Sequence, residues 1–152
     1  MLPNSAVTAL DIYSSNKNIE YDNIDIYFDL KRYEDALKAY NKAYEFECLH
    51  NEGQASLYIR KIGKTLRRLG RYEEAIEKLL ESRKLSLEEG EKVEVEDLEL
   101  SYCYATLGDR DNGEKYMKLF IDSVGTRIEN DEKLKKELEE LKEMVNMLYH
   151  PS

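Results

Sequence analysis

The chain is poor in the residue types that carry chemistry. It has no tryptophan, its histidines are His50 and His150, and its cysteines are Cys48 and Cys103. The cysteines stand far apart with no CxxC and no histidine pair nearby, which argues against a disulfide framework or a zinc site. Both are expected to be small core residues in a reducing compartment. There is no HExxH, GxSxG, P-loop or GxGxxG, so no nucleophile, base or metal set is on offer, and neither an enzyme nor a cofactor is expected. Nothing approaches the ~20 apolar residues of a membrane span. No lysine or arginine precedes Lys17, and Asp11 interrupts the short apolar stretch before it, against a secretory leader. A soluble, cytoplasmic chain is expected.

Positive charge is also in short supply. With 23 basic against 32 acidic residues the formal charge is −9, which repels nucleic acid and anionic membranes and favours a soluble monomer. A protein or peptide is the partner left, with no nucleic acid and no membrane. Carboxylate pairs such as Glu73-Glu74, Glu88-Glu89 and Glu139-Glu140 fall at helix starts or on solvated helix faces, where charge is comfortable. At 152 residues and 41% hydrophobic content, one domain can bury its own core.

Glycine supplies the pattern. Gly53, Gly70, Gly90, Gly108 and Gly125 recur at nearly even intervals, with helix formers between them. A glycine just past a helix supplies the left-handed residue that ends it, so this spacing predicts helices of similar length joined by tight turns. Such hairpins cannot bury an apolar face alone and must stack. Three turns align: Leu30-Lys31-Arg32-Tyr33-Glu34-Asp35-Ala36, then Leu69-Gly70-Arg71-Tyr72-Glu73-Glu74-Ala75, then Leu107-Gly108-Asp109-Arg110-Asp111-Asn112-Gly113. The two intervals between them, Lys31 to Gly70 and Gly70 to Gly108, differ by a single position.

These segments resemble the tetratricopeptide repeat, in a variant of long period: a small residue in a first helix, a turn glycine, an aromatic two residues on and an alanine three after that. The middle copy is fullest, with Gly63 and Leu66 ahead of the turn, then Tyr72 and Ala75. In the first copy Lys31 replaces the turn glycine, at ~1 kcal/mol if it must be left-handed. In the third, Arg110 and Gly113 replace the aromatic and the alanine, so looser packing is expected there. The resemblance implies an all-α, right-handed superhelical stack of antiparallel hairpins with about seven or eight helices. We read a single domain: residues 1–16 a half repeat or cap, 17–53, 54–90 and 91–125 three repeats, and 126–152 a capping helix. The half repeat rests on Ala9-Leu10-Asp11-Ile12; a short capping helix starting after Asn4 or Ser5 is the alternative. In the last segment Leu134, Leu138, Leu141, Val145 and Leu148 recur at 4, 3, 4 and 3. That stripe reads as a cover for the open end whose removal spares the groove, or as a short dimer seam; a monomer is favoured.

Function is expected in the groove that first helices line in this family. At about 100° per residue, Arg60, Lys61, Lys64, Arg67 and Arg68 fall within one arc roughly 120° wide. The apolar residues Ala55, Tyr58, Ile59, Ile62, Leu66 and Leu69 occupy the opposite side of the same wheel, so the basic face points away from the core. The candidate peptide-binding set is Arg60, Lys61, Lys64, Arg67 and Arg68, with the groove aromatics Tyr21, Phe28 and Tyr102. Acidic residues of a bound segment would meet the basic face. The competing reading is charge pairing inside the stack, with Asp22, Asp25 and Asp29 before the stripe and Glu99 after it. The family's clamp for chaperone C-termini is not implied, because its places hold Tyr21, Asp25, Lys61, Val95 and Glu99 and only Lys61 suits it. The function expected is non-catalytic binding of a partner segment, the alternatives being the peptide-sensing part of a bacterial regulator and a chaperone for a secreted protein.

Overall fold

The computed structural model describes residues 24–149. The N-terminal half repeat, Tyr21, Asp22 and His150 lie outside the described residues. Among the described residues seven α-helices follow in order: α1 (Ile26–Asp29), α2 (Tyr33–His50), α3 (Ala55–Arg68), α4 (Tyr72–Glu88), α5 (Glu94–Thr106), α6 (Arg110–Val124) and α7 (Glu132–Tyr149). A 3-10 turn, Gly125–Asn130, joins the last two, and no strand occurs among the described residues. Successive helices pack on each other, and α3, α5 and α7 also meet one another in that order. This is the expected all-α stack of hairpins. Among the described residues no helix is long and apolar enough to cross a membrane.

The three aligned turns close alike, which is why the repeat is visible in the sequence. In each, the residue in the glycine position donates its N–H three residues back and its successor donates five back. Gly70 donates to Arg67 at 3.0 Å and Arg71 to Leu66 at 2.9 Å; Gly108 donates to Ala105 at 3.1 Å and Asp109 to Tyr104 at 2.9 Å. Lys31 reproduces the pattern, donating to Phe28 at 2.9 Å while Arg32 donates to Tyr27 at 2.8 Å, and it holds φ at +60° to do so. The lysine thus adopts the glycine's conformation.

Small residues sit where helices touch. Ala36 and Ala75 are fully buried at the starts of α2 and α4, and Gly113 is buried in α6. Gly63 is tighter still, since a Cβ there would lie 2.7 Å from Leu79 Cγ. Two core clusters result. One runs from α1 to α6 through Tyr27, Tyr40, Tyr58, Ile62, Leu79 and Cys103. The other joins Leu98, Ala105, Phe120 and Val124 to Leu138, Leu141 and Val145 of α7. The leucine stripe of α7 therefore packs inside the chain.

The reading of the cysteines needs correcting. Cys103 is buried, but Cys48 is exposed on α2 and is no core residue. Glu47 beside it is the buried residue, and its carboxylate accepts the backbone N–H groups of Gln54 at 2.6 Å and Glu52 at 3.0 Å. It fastens the end of one repeat to the start of the next.

Candidate functional site

One side of the stack is lined by α1, α3, α5 and α7. Three adjoining cavities of about 510, 350 and 830 Å³ open there, and all three share Phe28 of α1 and Lys133 of α7. Together they form a groove whose floor is α3 and α5. The apolar face of α3 is turned the other way, with Tyr58, Ile59, Ile62 and Leu66 in the core, so its basic face looks into the groove.

The five cations of that face divide into two groups. Three are paired within the stack. Lys61 Nζ lies 2.8 and 3.0 Å from the Asp25 carboxylate oxygens, Arg67 pairs with Glu99, and Arg60 lies 3.8 Å from Glu96. Asp25 also accepts the Tyr40 hydroxyl. Burial alone would raise the Asp25 pKa, but the bonds from Lys61 and Tyr40 outweigh it and leave the carboxyl below its usual value. Arg67 behaves in the same sense: burial opposes its charge, yet Glu99 holds it more firmly protonated than a free arginine. Its guanidinium stacks 4.6 Å over the Tyr102 ring. Asp25 and Glu99 are pairings the sequence could suggest. Glu96 is not, because it looks like an ordinary acid at a helix start, whereas it is 0% exposed and accepts the Ser82 and Ser86 hydroxyls at 3.1 and 3.2 Å.

Lys64 and Arg68 form the second group. Among the described residues neither has a carboxylate within ion-pair distance; instead they lie 5.3 and 5.9 Å from the Phe28 ring centre. Burial pushes the Lys64 pKa down, against the pull of Glu99, and the neighbouring cations Lys61, Arg68 and Arg60 push the same way as burial. A half-buried ammonium among like charges is a place that favours an incoming anion.

Both described groove aromatics line the cavities: Phe28 touches all three, and Tyr102 lines the one that also holds Leu134. Tyr102 donates its hydroxyl to the backbone carbonyl of Glu137 at 2.8 Å, and burial lifts its pKa to about 12. That bond ties α5 to α7. The last helix was expected to leave the groove untouched, and here the structure differs: Lys133, Leu134, Glu137 and Glu140 of α7 form a wall of it. Nothing in the heptad stripe could show this, since a stripe identifies the buried face of a helix and not how far its first turn reaches. Val95, 37% exposed on α5, is a further groove residue outside the expected binding set. The Cys103 thiol is buried with its pKa lifted to about 12, and no group of three His, Cys, Asp or Glu among the described residues is placed to hold a metal.

Residues 25–47 match the family model described as tetratricopeptide repeat. The match covers α1 and most of α2, and so falls on the copy with lysine in the glycine position, one of the three turns that resemble the repeat. No curated protein and no solved structure gives a significant match.

Proposed function

We propose that this chain is a non-catalytic interaction module that holds a segment of a partner protein in the groove between α1, α3, α5 and α7. Tetratricopeptide repeats generally mediate contacts between proteins. The observation that carries the reading to this groove is the division of the α3 cations. In an acidic chain, where three of five have found internal partners, Lys64 and Arg68 stand over Phe28 with no carboxylate within ion-pair distance among the described residues. In this reading Arg60, Lys61 and Arg67, which have partners inside the stack, serve as framework, and binding rests on Lys64, Arg68, Phe28 and Tyr102. The two free cysteines fit a reducing, cytoplasmic setting, and the α7 stripe packed on its own chain fits a monomer.

Peptides selected from a random display library against the folded chain provide the test. Added to isotopically labelled protein, they should shift the amide signals of Phe28, Lys64, Val95, Tyr102 and Leu134. Shifts confined to α2, α4 and α6 would place binding on the other side and overturn the reading.

A further inference from the structure

Resting on that groove reading, we infer that the bound segment is recognised through a carboxylate side chain held above Phe28 by Lys64 and Arg68 of α3 and Lys133 of α7, with a neighbouring apolar side chain against Val95, Tyr102 and Leu134. Phe28 is the point where all three cavities meet, and Lys133 is the other residue they share. The three cations therefore line adjoining cavities from two walls, Lys64 and Arg68 against the Phe28 ring and Lys133 across from it.

Local energetics do not account for Lys133. It is the second residue of α7, where the positive end of a helix favours acids and disfavours an ammonium. Glu132 beside it obeys that preference and lies 3.8 Å from Lys135, whereas Lys133 is exposed and has no carboxylate within ion-pair distance among the described residues. It lines all three cavities together with Phe28. Lys64 gives a second, independent indication, because its charge is opposed by burial and by Lys61, Arg68 and Arg60, and an entering carboxylate relieves that opposition.

The other charges of the groove limit where the acid can go. Glu94 pairs with Arg127 and Glu99 with Arg67, so these two are neutralised, whereas Asp29, beside Phe28 in two of the cavities, has no cation within ion-pair distance among the described residues and offsets part of the charge of Lys64, Arg68 and Lys133. Among the described residues Glu137 and Glu140 are not paired in this way, and they line the same wall one and two turns beyond Lys133. An acid near them is repelled. The selected segment should then carry its carboxylate at one end of the contact and a neutral or basic residue at the other, a polarity that salt weakens but does not reverse.

The test uses display-selected peptides that map to the groove, resynthesised with amidated C-termini so that only side-chain acids remain. They should contain Asp or Glu next to an apolar residue, and replacing that acid by its amide should weaken binding about tenfold or more. Lys133→Glu should do the same while keeping or slightly raising the melting temperature, since it improves the start of α7; Lys64→Gln with Arg68→Gln gives a second variant on the other wall. Glu140→Lys should tighten binding of the acidic peptides. Groove-mapping peptides that lack an acid, or that ignore all of these variants, would overturn the carboxylate site and leave the groove reading standing. Binding lost on amidation of the terminus but not on conversion of the side-chain acid would assign the site to a chain end and overturn the side-chain assignment. A selection with no groove-mapping peptide would overturn both.

Discussion

The space beside Gly63 decides what the second hairpin tolerates. A Cβ at this position would meet Leu79 Cγ at 2.7 Å and Cδ2 at 2.8 Å, and Leu79 is 0% exposed, with no room to swing away. Overpacking of this kind costs ~1–3 kcal/mol, more than the ~0.5–1 kcal/mol that alanine gains over glycine within a helix. Gly63→Ala should therefore lower the melting temperature. At Gly113 the nearest atom is the Ala105 nitrogen at 3.4 Å, an ordinary contact, so Gly113→Ala should raise stability by ~0.5–1 kcal/mol. Calorimetry on the two variants checks both signs, and a Gly63→Ala protein melting above the parent would contradict the close approach. Asp25 offers a test in pH. Because its folded-state pKa is lowered, the charged form is the one the fold holds, and its contribution is present above the carboxylate range and lost as pH falls through it. The gap in melting temperature between the parent and Asp25→Asn should be widest near neutral pH and close below about pH 4. A gap that stays constant would show that Lys61 and Tyr40 do not depend on that charge.

Among the elements, α7 has two roles that were expected to be separable and are not. Its buried residues Leu138, Leu141 and Val145 cover Leu98, Phe120 and Val124, while its first turns wall the groove. Leu141 is 0% exposed, so Leu141→Ala should cost ~2–5 kcal/mol, read in a denaturant titration. Deleting residues 131–152 should cause aggregation or partial melting and also abolish groove binding. A truncated chain that stays folded and binds selected peptides normally would show that α7 is dispensable on both counts. The element pattern was legible because turns and close contacts are local: Lys31, Gly70 and Gly108 recur in register, and so do Ala36, Ala75 and Gly113. The site was legible only in part. A helical wheel separates the basic from the apolar face of α3, but which cations are neutralised depends on side chains a whole repeat away in the sequence, Asp25, Glu96 and Glu99. Glu96 escaped notice because its burial comes from packing against α4, and Lys133 because its place is set by every helix before it.

For the molecule as a whole, occupation of the groove should be visible from its rims. Asp29 and Lys136 are exposed and line the same cavity, one in the first described helix and one in the last. Spin labels at Asp29→Cys and Lys136→Cys, in a Cys48→Ser background with the buried Cys103 left in place, report the gap between them. A selected peptide should narrow their distance distribution, and an unchanged distribution would mean that the groove does not respond to its occupant.

Phe28 and Lys133 face one cavity from opposite ends of the chain of helices, and each helix rests mainly on its neighbours. The width between them is therefore not fixed by any single contact. It is an accumulated angle, like the opening of a fan whose ribs are each set against the last. A small rotation at one junction is trivial there, yet it is carried forward by every later rib and magnified at the far edge. The tight seat of Gly63 against Leu79 then matters beyond stability, because it fixes one of those angles, and a change at this distant joint would retune which partners the groove admits without altering a residue that touches them.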